Sequence, residues 1–238
     1  MAVGSGESLM RPLTSDEVSA FGRLDTCAVS NAIERFDLRL RNEGFAGAGT
    51  RCVFPDLPPV IGHAVTARIR CSTPPPVGHN YIDRTDWWNY LASVPGPRIL
   101  VVEDIDERPG LGAFVGEIHA NVFKALGCVA YATNGSVRDL PAVRRLDFQL
   151  FASSVAVSHA FVHLVDFGGP VTLDGLQVTS GAIIHGDQHG LVTVPPEILD
   201  QVPAAVARMS DQERAVIELC QSAQFSIDSL RTMVKQWR

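Results

Sequence analysis

Residues 115–143 read VGEIHANVFKALGCVAYATNGSVRDLPAV, and this stretch predicts a helix, a strand and a polar turn in succession. The helix opens at Glu117 and ends at Gly127, because glycine is favoured just past a helix terminus. Its apolar positions recur at helical spacing and are Ile118, Val122, Phe123 and Leu126. Residues 128–133 then form a short apolar strand rich in β-formers. A helix followed directly by a buried strand indicates an α/β fold.

The turn after this strand carries charged residues at the sheet edge where α/β proteins bind ligands. Amides at a helix amino terminus lie in a positive potential, so those of Glu117, Ile118 and His119 could hold a carboxylate. Arg138 would grip the same anion with a planar fork of donors. Asp139 offers hard oxygen ligands that suit Mg²⁺ or Mn²⁺. Together they would bind a small 2-oxo acid and stabilise its enolate, with Glu117 positioning a water or moving a proton.

Each of these residues also has a structural interpretation. Asp139 precedes Leu140 and Pro141, which is the pattern of a helix N-cap with proline in the first turn. Glu117 in a first turn is favoured by the helix dipole whether or not it takes part in chemistry. Arg138 could be an ordinary partner in a surface ion pair.

A longer pattern supports the catalytic interpretation. Glu117, twenty intervening residues and then Arg138-Asp139, within GE...KALGC...NGSVRD, resemble the signature of the 4-hydroxy-4-methyl-2-oxoglutarate aldolase and regulator of ribonuclease activity A family. The resemblance extends over roughly Leu24 to Pro196. Its other segments are individually weak and read LDTCAVSNAI, GHAVTARI and GAIIHGDQHGLVTVP.

The resemblance implies a layered α/β/β/α sandwich with a central mixed sheet, like a swivelling domain, that assembles as a trimer or as a hexamer of two trimers with sites between subunits. It also implies a divalent-metal-dependent lyase that releases pyruvate from a 2-oxo acid or decarboxylates oxaloacetate. In that family pattern Arg138 binds the pyruvyl carboxylate and oxygen, and Asp139 holds the metal partly through water. The amides of Ile118 and His119 take the carboxylate, and Glu117 orients the catalytic water.

One position departs from the family pattern. Aldolases of this group carry a further acid three residues after the aspartate, and here that position is Ala142. The loss counts toward one alternative to a lyase, a non-catalytic regulatory or binding protein with the same fold. The aromatic segment that carries Trp87 and Trp88 and the histidine-rich turns favour another, a metal-dependent enzyme of another reaction on a larger substrate.

Composition bounds the remaining possibilities. The chain has 238 residues, of which 46% are hydrophobic and 19% charged, and this predicts a single domain. The resemblance implies that its family-like core covers 14–200, with a helical extension over 201–238. A net charge of −6 argues against nucleic-acid binding. No apolar run reaches the length of a membrane span, and the first residues lack a signal-peptide pattern. Five scattered cysteines without CxxC spacing fit a cytoplasmic protein.

Two further segments contain residue types that could contribute to a substrate or metal site. Residues 78–93 place Trp87 and Trp88 among charged residues, which predicts either an amphipathic helix with buried aromatics or a substrate lid. An acidic turn follows the buried strand of residues 98–104 and would be solvated or would add metal ligands. Its carboxylates are Asp104, Asp106 and Glu107.

Histidines recur in two later motifs. His159 and His163 lie four apart, so they would share one face of a strand or helix and serve either a structural role or a metal. His185, Asp187 and His189 lie in a predicted polar turn between strands over 182–184 and 191–194, where they would cap the turn or serve as a proton relay or a metal group. The chain then continues as helix, with a segment over 211–220 and an amphipathic one from Ser226 onward that is spaced for burial.

Overall fold

Eight strands form one mixed sheet in the computed structural model, which describes residues 10–76 and 84–235. The strands are β1 (Arg51–Cys52), β2 (Val60–Arg70), β3 (Arg98–Asp104), β4 (Ala113–Val115), β5 (Cys128–Thr133), β6 (Ser136–Val137), β7 (Gln149–Ala152), β8 (Ser154–Val155), β9 (His163–Phe167), β10 (Val171–Leu173), β11 (Leu176–Val178), β12 (Ile183–Asp187) and β13 (Gly190–Val194). The order in the main sheet is β1-β7-β5-β3-β2-β12-β13, and β9 also pairs with β2. Strands β2, β3, β5 and β7 run parallel, whereas β1, β9, β12 and β13 pair antiparallel.

Helices cover one face and one edge of this sheet. They are α1 (Ser15–Phe21), α2 (Thr26–Glu34), α3 (Arg84–Ser93), α4 (Glu117–Ala125), α5 (Leu140–Arg144), α6 (Val202–Gln221) and α7 (Ile227–Lys235). Side chains of α3, α4 and α5 pack on the face that carries Val65 and Leu100. The hairpin β10-β11 packs on the opposite face, and α1, α2 and α6 pack at the end formed by β12 and β13. This arrangement confirms the predicted mixed α/β class with a large central sheet.

Strand β2 is buried on both faces. Val65, Ala67, Ile69 and Cys71 alternate with other residues in the sequence, and this alternation predicts a strand with one covered face. The prediction is wrong, because Ala64 and Thr66 are also buried, on the side of the β10-β11 hairpin. A long strand at the centre of a sheet with two covered faces carries apolar or small residues at nearly every position.

The aromatic segment joins the core rather than forming a lid. Trp87 is fully buried, and its ring lies 5.7 Å from that of Phe167, which also contacts Tyr90 at 5.2 Å. Trp88 packs half-buried against the same cluster. These contacts support the amphipathic-helix alternative for this segment; its first residues, 78–83, lie outside the described part of the chain.

The carboxyl-terminal helices differ from the prediction. Helix α6 spans twenty residues from Val202, a longer helix than the predicted 211–220, because its first turns pack on the β12-β13 end through Val202, Ala205 and Val206. The spacing of Ile227, Leu230, Met233, Val234 and Trp237 predicts burial against this domain or a neighbouring subunit. Helix α7 buries no residue on this chain, where Ile227 and Val234 are exposed, so burial against a neighbour stays a prediction. Trp237, the last predicted apolar contact, lies outside the described residues. Among the residues described, no helix combines the length and apolarity needed to traverse a bilayer.

Candidate functional site

A second, small sheet brings together the segments that carry the predicted site residues. Strand β4 pairs parallel with β6, and β6 pairs parallel with β8, so the carboxyl ends of all three lie together. The register aligns Val115 with Val137, and the Arg138 amide donates to the Val115 carbonyl at 3.1 Å. The residues that directly follow β4 and β6 are therefore neighbours in space. This pairing brings Glu117 beside Asp139, a proximity that sequence reasoning could only infer from family spacing.

Asp139 adopts a left-handed backbone conformation, with φ of 58°. Asp139 occupies the N-cap position of α5, with Pro141 in the first turn as predicted, but its carboxylate makes no capping hydrogen bond to that helix. Instead Oδ2 accepts a hydrogen bond from the Glu117 amide at 3.0 Å and lies 3.6 Å from Arg138 Nε. Gly116 makes this approach possible, since a Cβ there would lie 2.4 Å from the same oxygen. The carboxylate thus sits over the amino terminus of α4, where the helix dipole stabilises a negative charge.

The side chains around this carboxylate remain accessible. The Arg138 side chain is 34% exposed, and Glu117 is exposed on the first turn of α4. Ile118 is 78% exposed although it shares the helical spacing, whereas Phe123 and Ala120 are buried against the core.

These residues border a cavity of about 520 Å³. Its lining in the described part of the chain consists of Pro75, Ala113, Phe114, Gly116, Glu117, Ile118, His119, Arg138, Asp139, His159, Ala160, Phe161 and Val162. A cavity of this size falls in the range of small-molecule sites. All five residues proposed from the sequence as catalytic, substrate-binding or metal-binding line it.

The His119 ring forms part of the apolar wall. It stacks on Phe114 with ring centroids 5.0 Å apart and on Phe123 at 5.7 Å. The stacking fixes the first turn of α4 against the core, so the orientation of its amides is rigid.

The opposite wall is a turn that carries His159, and its position corrects the predicted histidine pair. His159 is exposed in this turn, whereas His163 is buried at the start of β9, so the two do not share a face of one element. Their Nδ1 atoms lie 2.7 Å and 2.8 Å from the backbone carbonyls of Ala160 and Phe161 respectively. Neither histidine belongs to any group of three potential metal ligands among the described residues.

The second histidine motif holds helix α2 on the sheet. His185 is fully buried within β12, not in a turn, and its ring nitrogens contact Thr26 Oγ1 and the Phe21 carbonyl, each at 3.1 Å. Asp187 accepts hydrogen bonds from the amides of Thr26 at 3.0 Å and His189 at 2.8 Å. Burial lowers the pKa of His185. These contacts are structural and lie away from the cavity.

The acidic turn after β3 is buried rather than solvated. Asp104 accepts hydrogen bonds from the Gly110 amide at 2.8 Å and the Asp106 amide at 3.1 Å, and burial raises its pKa. Asp106 accepts from the amides of Cys71 and Ser72 at 2.8 and 2.7 Å. Only Glu107 is exposed. The turn therefore supports the loop before β4.

Asp139 is the lining residue that could hold a hard divalent cation predicted from the sequence. Its Oδ2 is engaged by the Glu117 amide, while Oδ1 has no hydrogen-bond partner among the described residues. Mg²⁺ and Mn²⁺ accept one or two protein carboxylates and keep several waters. One carboxylate oxygen of a cavity-lining aspartate, without a hydrogen-bond partner among the described residues, is compatible with that preference. Ala142, on the first turn of α5, adds no ligand.

Comparison with known proteins connects this site to one family. A family model described as RraA-like, Aldolase/RraA, matches residues 26–193. The chain is also 23% identical over 109 residues to a Halalkalibacterium halodurans protein whose name assigns it provisionally to the 4-hydroxy-4-methyl-2-oxoglutarate aldolases. That match covers 44% of this chain and about half, 52%, of the relative.

Solved structures share the fold at low identity. An uncharacterized protein of Pseudomonas syringae superposes with a TM-score of 0.72 at 20% identity, over 97% of this chain and 99% of its own. Streptomyces coelicolor RraAS2, an unusual member of the RNase ES inhibitor RraA protein family, gives 0.66 at 19% identity, over 86% and 96%. The Thermus thermophilis RNA-processing inhibitor RraA gives 0.51 at 17% identity, over 69% and 92%.

Proposed function

The chain belongs to the Aldolase/RraA family, and from that premise we propose that it is a divalent-metal-dependent lyase that cleaves or decarboxylates a 2-oxo acid through a pyruvate enolate. One observation carries the proposal. The Asp139 carboxylate lies across the amino terminus of α4, 3.0 Å from the Glu117 amide, with Arg138 beside it at the rim of a small-molecule cavity.

Each residue at the cavity has a role that follows from its chemistry. Arg138 binds the substrate carboxylate and the 2-oxo oxygen, because a guanidinium offers paired donors to such an anion. The amides of Ile118 and His119 face the same carboxylate from the helix terminus. Asp139 would hold Mg²⁺ or Mn²⁺, which supplies stabilisation of the negative charge that builds on the 2-oxo oxygen. Glu117 is placed to position a water or to transfer a proton.

Cleavage of a 4-hydroxy-2-oxo acid then balances as follows. A base takes the proton of the C4 hydroxyl, and the O–H electron pair forms the new carbonyl. The C3–C4 bond breaks, and its electron pair becomes the C2–C3 double bond of the pyruvate enolate. Protonation at C3 completes pyruvate. The same enolate forms when oxaloacetate loses CO₂, so one site serves both reactions.

A second candidate function is supported by Ala142. Without an acid at this position the site has fewer groups to order water around a cation, and structural relatives carry names that describe inhibitors of RNA processing. A non-catalytic regulatory protein would keep the fold and bind a partner through its surface. The accessible Asp139 carboxylate favours the lyase over this alternative.

We also propose that the protein assembles as a homotrimer or homohexamer. Large apolar side chains are exposed near the cavity, with Leu111 and Val155 each 59% exposed and Val157 fully exposed. Such side chains next to a site mark an interface in soluble proteins. Light scattering after size-exclusion chromatography would give the number of subunits.

The proposed activity is tested directly with purified protein of known oligomeric state. Pyruvate release is followed for oxaloacetate and for 4-hydroxy-2-oxo acids, in Mg²⁺, in Mn²⁺ and in chelator. We expect turnover that chelator abolishes and added metal restores. Absence of turnover with every metal, from folded protein, would contradict the lyase and direct the search to a protein partner.

Restoring an acid at position 142 is expected to strengthen metal binding. In Ala142→Glu the new carboxylate stands on the third residue of α5, where side chains point back toward the residue that precedes the helix, here Asp139. Outer-sphere groups change metal affinity by about 10-fold or more, so we expect the Mg²⁺ concentration for half-maximal turnover to fall about 10-fold. Ala142→Gln is the uncharged control. An equal effect of both substitutions would show that charge at this position is irrelevant.

A further inference from the structure

Three side chains of metal-binding type meet at the amino end of helix α2. They are Asp25, Cys27 and His189, and one donor atom of each lies within 4.8 Å of the donor atoms of the other two. All three residues are exposed, so their side chains have room to close around an ion. They are separate from the residues that line the cavity at Asp139. The cluster therefore combines a carboxylate, a thiol and an imidazole outside the proposed lyase site.

The imidazole ring of His189 is oriented by a buried carboxylate. Asp187 is 4% exposed, and its two carboxylate oxygens lie 3.1 Å and 3.2 Å from His189 Nδ1. Because an ionised carboxylate only accepts hydrogen bonds, this contact places a hydrogen on Nδ1, and Nε2 is the nitrogen that can coordinate a cation. Metal-binding histidines usually carry such a carboxylate on their other ring nitrogen, which fixes the ring and strengthens the ligand.

The same aspartate joins the two segments that carry the cluster. Asp187 accepts hydrogen bonds from the amides of Thr26 at 3.0 Å and His189 at 2.8 Å. Thr26 lies directly between the two residues of the cluster that belong to the start of α2. Asp25 caps this helix through Oδ1, which accepts from the Ala28 amide at 2.8 Å, and a carboxylate keeps a second oxygen for a cation. The backbone on both sides of the cluster is therefore fixed.

The donor set differs in chemistry from the carboxylate at Asp139. Mg²⁺ and Mn²⁺ prefer oxygen ligands, whereas a thiolate together with an imidazole favours Zn²⁺. Three protein ligands leave one position of a tetrahedral Zn²⁺ for water. Asp25 and Cys27 line a cavity of about 130 Å³ together with Ser210 and Glu213 of α6, and this volume has room for such a water.

A cysteine near a histidine–aspartate pair also resembles a thiol nucleophile with its base. Burial and the carboxylates of Asp25 and Asp187 raise the pKa of the Cys27 thiol. Negative charges that oppose a free thiolate attract a cation, and a thiol loses its proton when it coordinates a metal. The surroundings of Cys27 therefore favour a metal ligand over a nucleophile.

We propose that Asp25, Cys27 and His189 form a Zn²⁺ site, separate from the cavity at Asp139, in which Asp187 orients the histidine. The site does not depend on the proposed lyase function. Bound Zn²⁺ would connect the amino end of α2 to the turn between β12 and β13 and so stabilise the folded chain.

Titration of the full-length protein with Zn²⁺, followed by calorimetry, tests the site. We expect Cys27→Ser to lower Zn²⁺ affinity by at least about 100-fold, since loss of an outer-sphere partner alone costs up to that factor. The matched control is Cys220→Ser, which makes the same change at an exposed cysteine outside the cluster and should keep the affinity. Absence of Zn²⁺ binding, or equal affinities of Cys27→Ser and the unaltered protein, would overturn the proposal.

The titration is repeated in Asp139→Asn to distinguish the two metal sites. This variant lacks the carboxylate proposed for Mg²⁺ or Mn²⁺, and we expect its Zn²⁺ affinity to match that of the unaltered protein. We also expect Zn²⁺ to raise the melting temperature of Asp139→Asn, because an ion that binds only the folded chain stabilises it. Loss of Zn²⁺ binding in Asp139→Asn would place the ion in the cavity and overturn the separate site.

Co²⁺ reports on the ligands themselves. It occupies tetrahedral Zn²⁺ sites, and a Co²⁺–thiolate bond gives a charge-transfer absorption that oxygen and nitrogen ligands do not give. We expect this absorption in the unaltered protein and its loss in Cys27→Ser. For Asp187→Asn, folded by circular dichroism, we expect the absorption to remain and the Co²⁺ affinity to fall about 10-fold, as for other outer-sphere partners. An absorption that persists in Cys27→Ser would assign the metal to another cysteine and overturn the site.

Discussion

Arg138→Ala is expected to lower kcat/KM for pyruvate release by about 10²–10³-fold, the range seen when one donor to a developing oxyanion is removed. The side chain is 34% exposed, and its ion pair with Asp139 spans 3.6 Å, so folding depends little on it. Arg138→Lys keeps the charge but loses the planar fork, and we expect an intermediate rate. Steady-state kinetics with oxaloacetate and with a 4-hydroxy-2-oxo acid measure both variants.

Arg145→Ala is the matched control for this change. Arg145 is an exposed arginine at the end of α5 and does not line the cavity. Its removal should leave kinetics unchanged. An Arg138→Ala enzyme within threefold of the unaltered protein would remove Arg138 from the substrate site.

Asp139→Asn is expected to raise the Mg²⁺ concentration for half-maximal turnover by at least about 100-fold, since loss of an outer-sphere group alone costs up to that factor. Asparagine tolerates the left-handed backbone of this position nearly as well as aspartate, so the substitution changes charge with little added strain. Activity is titrated with metal, and Mn²⁺ binding is measured independently by electron paramagnetic resonance.

Asp147→Asn makes the same change at another left-handed aspartate. Asp147 has φ of 50° and a side chain 74% exposed, and it lies outside the cavity lining. We expect metal binding of this variant to match that of the unaltered protein. If both asparagine variants bound Mn²⁺ equally well, the metal would have to be held by other residues.

The fold class could be predicted from local patterns, and so could the grouping of the proposed residues at one cavity. Helical spacing before Gly127 and the apolar run after it define α4 and β5, and the family spacing groups Glu117, Arg138 and Asp139. Burial of single positions was harder to predict. Ile118 keeps helical spacing yet faces the cavity, since the pattern of apolar residues does not tell a core face from a binding face.

Long-range pairing accounts for most of what the sequence did not reveal. Strand β6 has two residues, too few for a periodic signal, and only its pairing with β4 brings the two halves of the site together. The turn at His159 was interpreted as part of a strand because nothing local indicates that Ser158 and Phe161 hydrogen-bond to distant backbone groups. His185 was placed in a turn, although a buried partner in α2 holds it within β12.

The small parallel sheet has a consequence for how the protein loses activity. Strands β4, β6 and β8 contain two or three residues each, far below the length at which strands are stable by themselves. These short strands are held in place by packing on the main core, which includes their buried residues Phe114, Val115 and Val137. The residues at the cavity therefore depend on the main core for their positions. We expect activity and folded structure to be lost at the same temperature on heating.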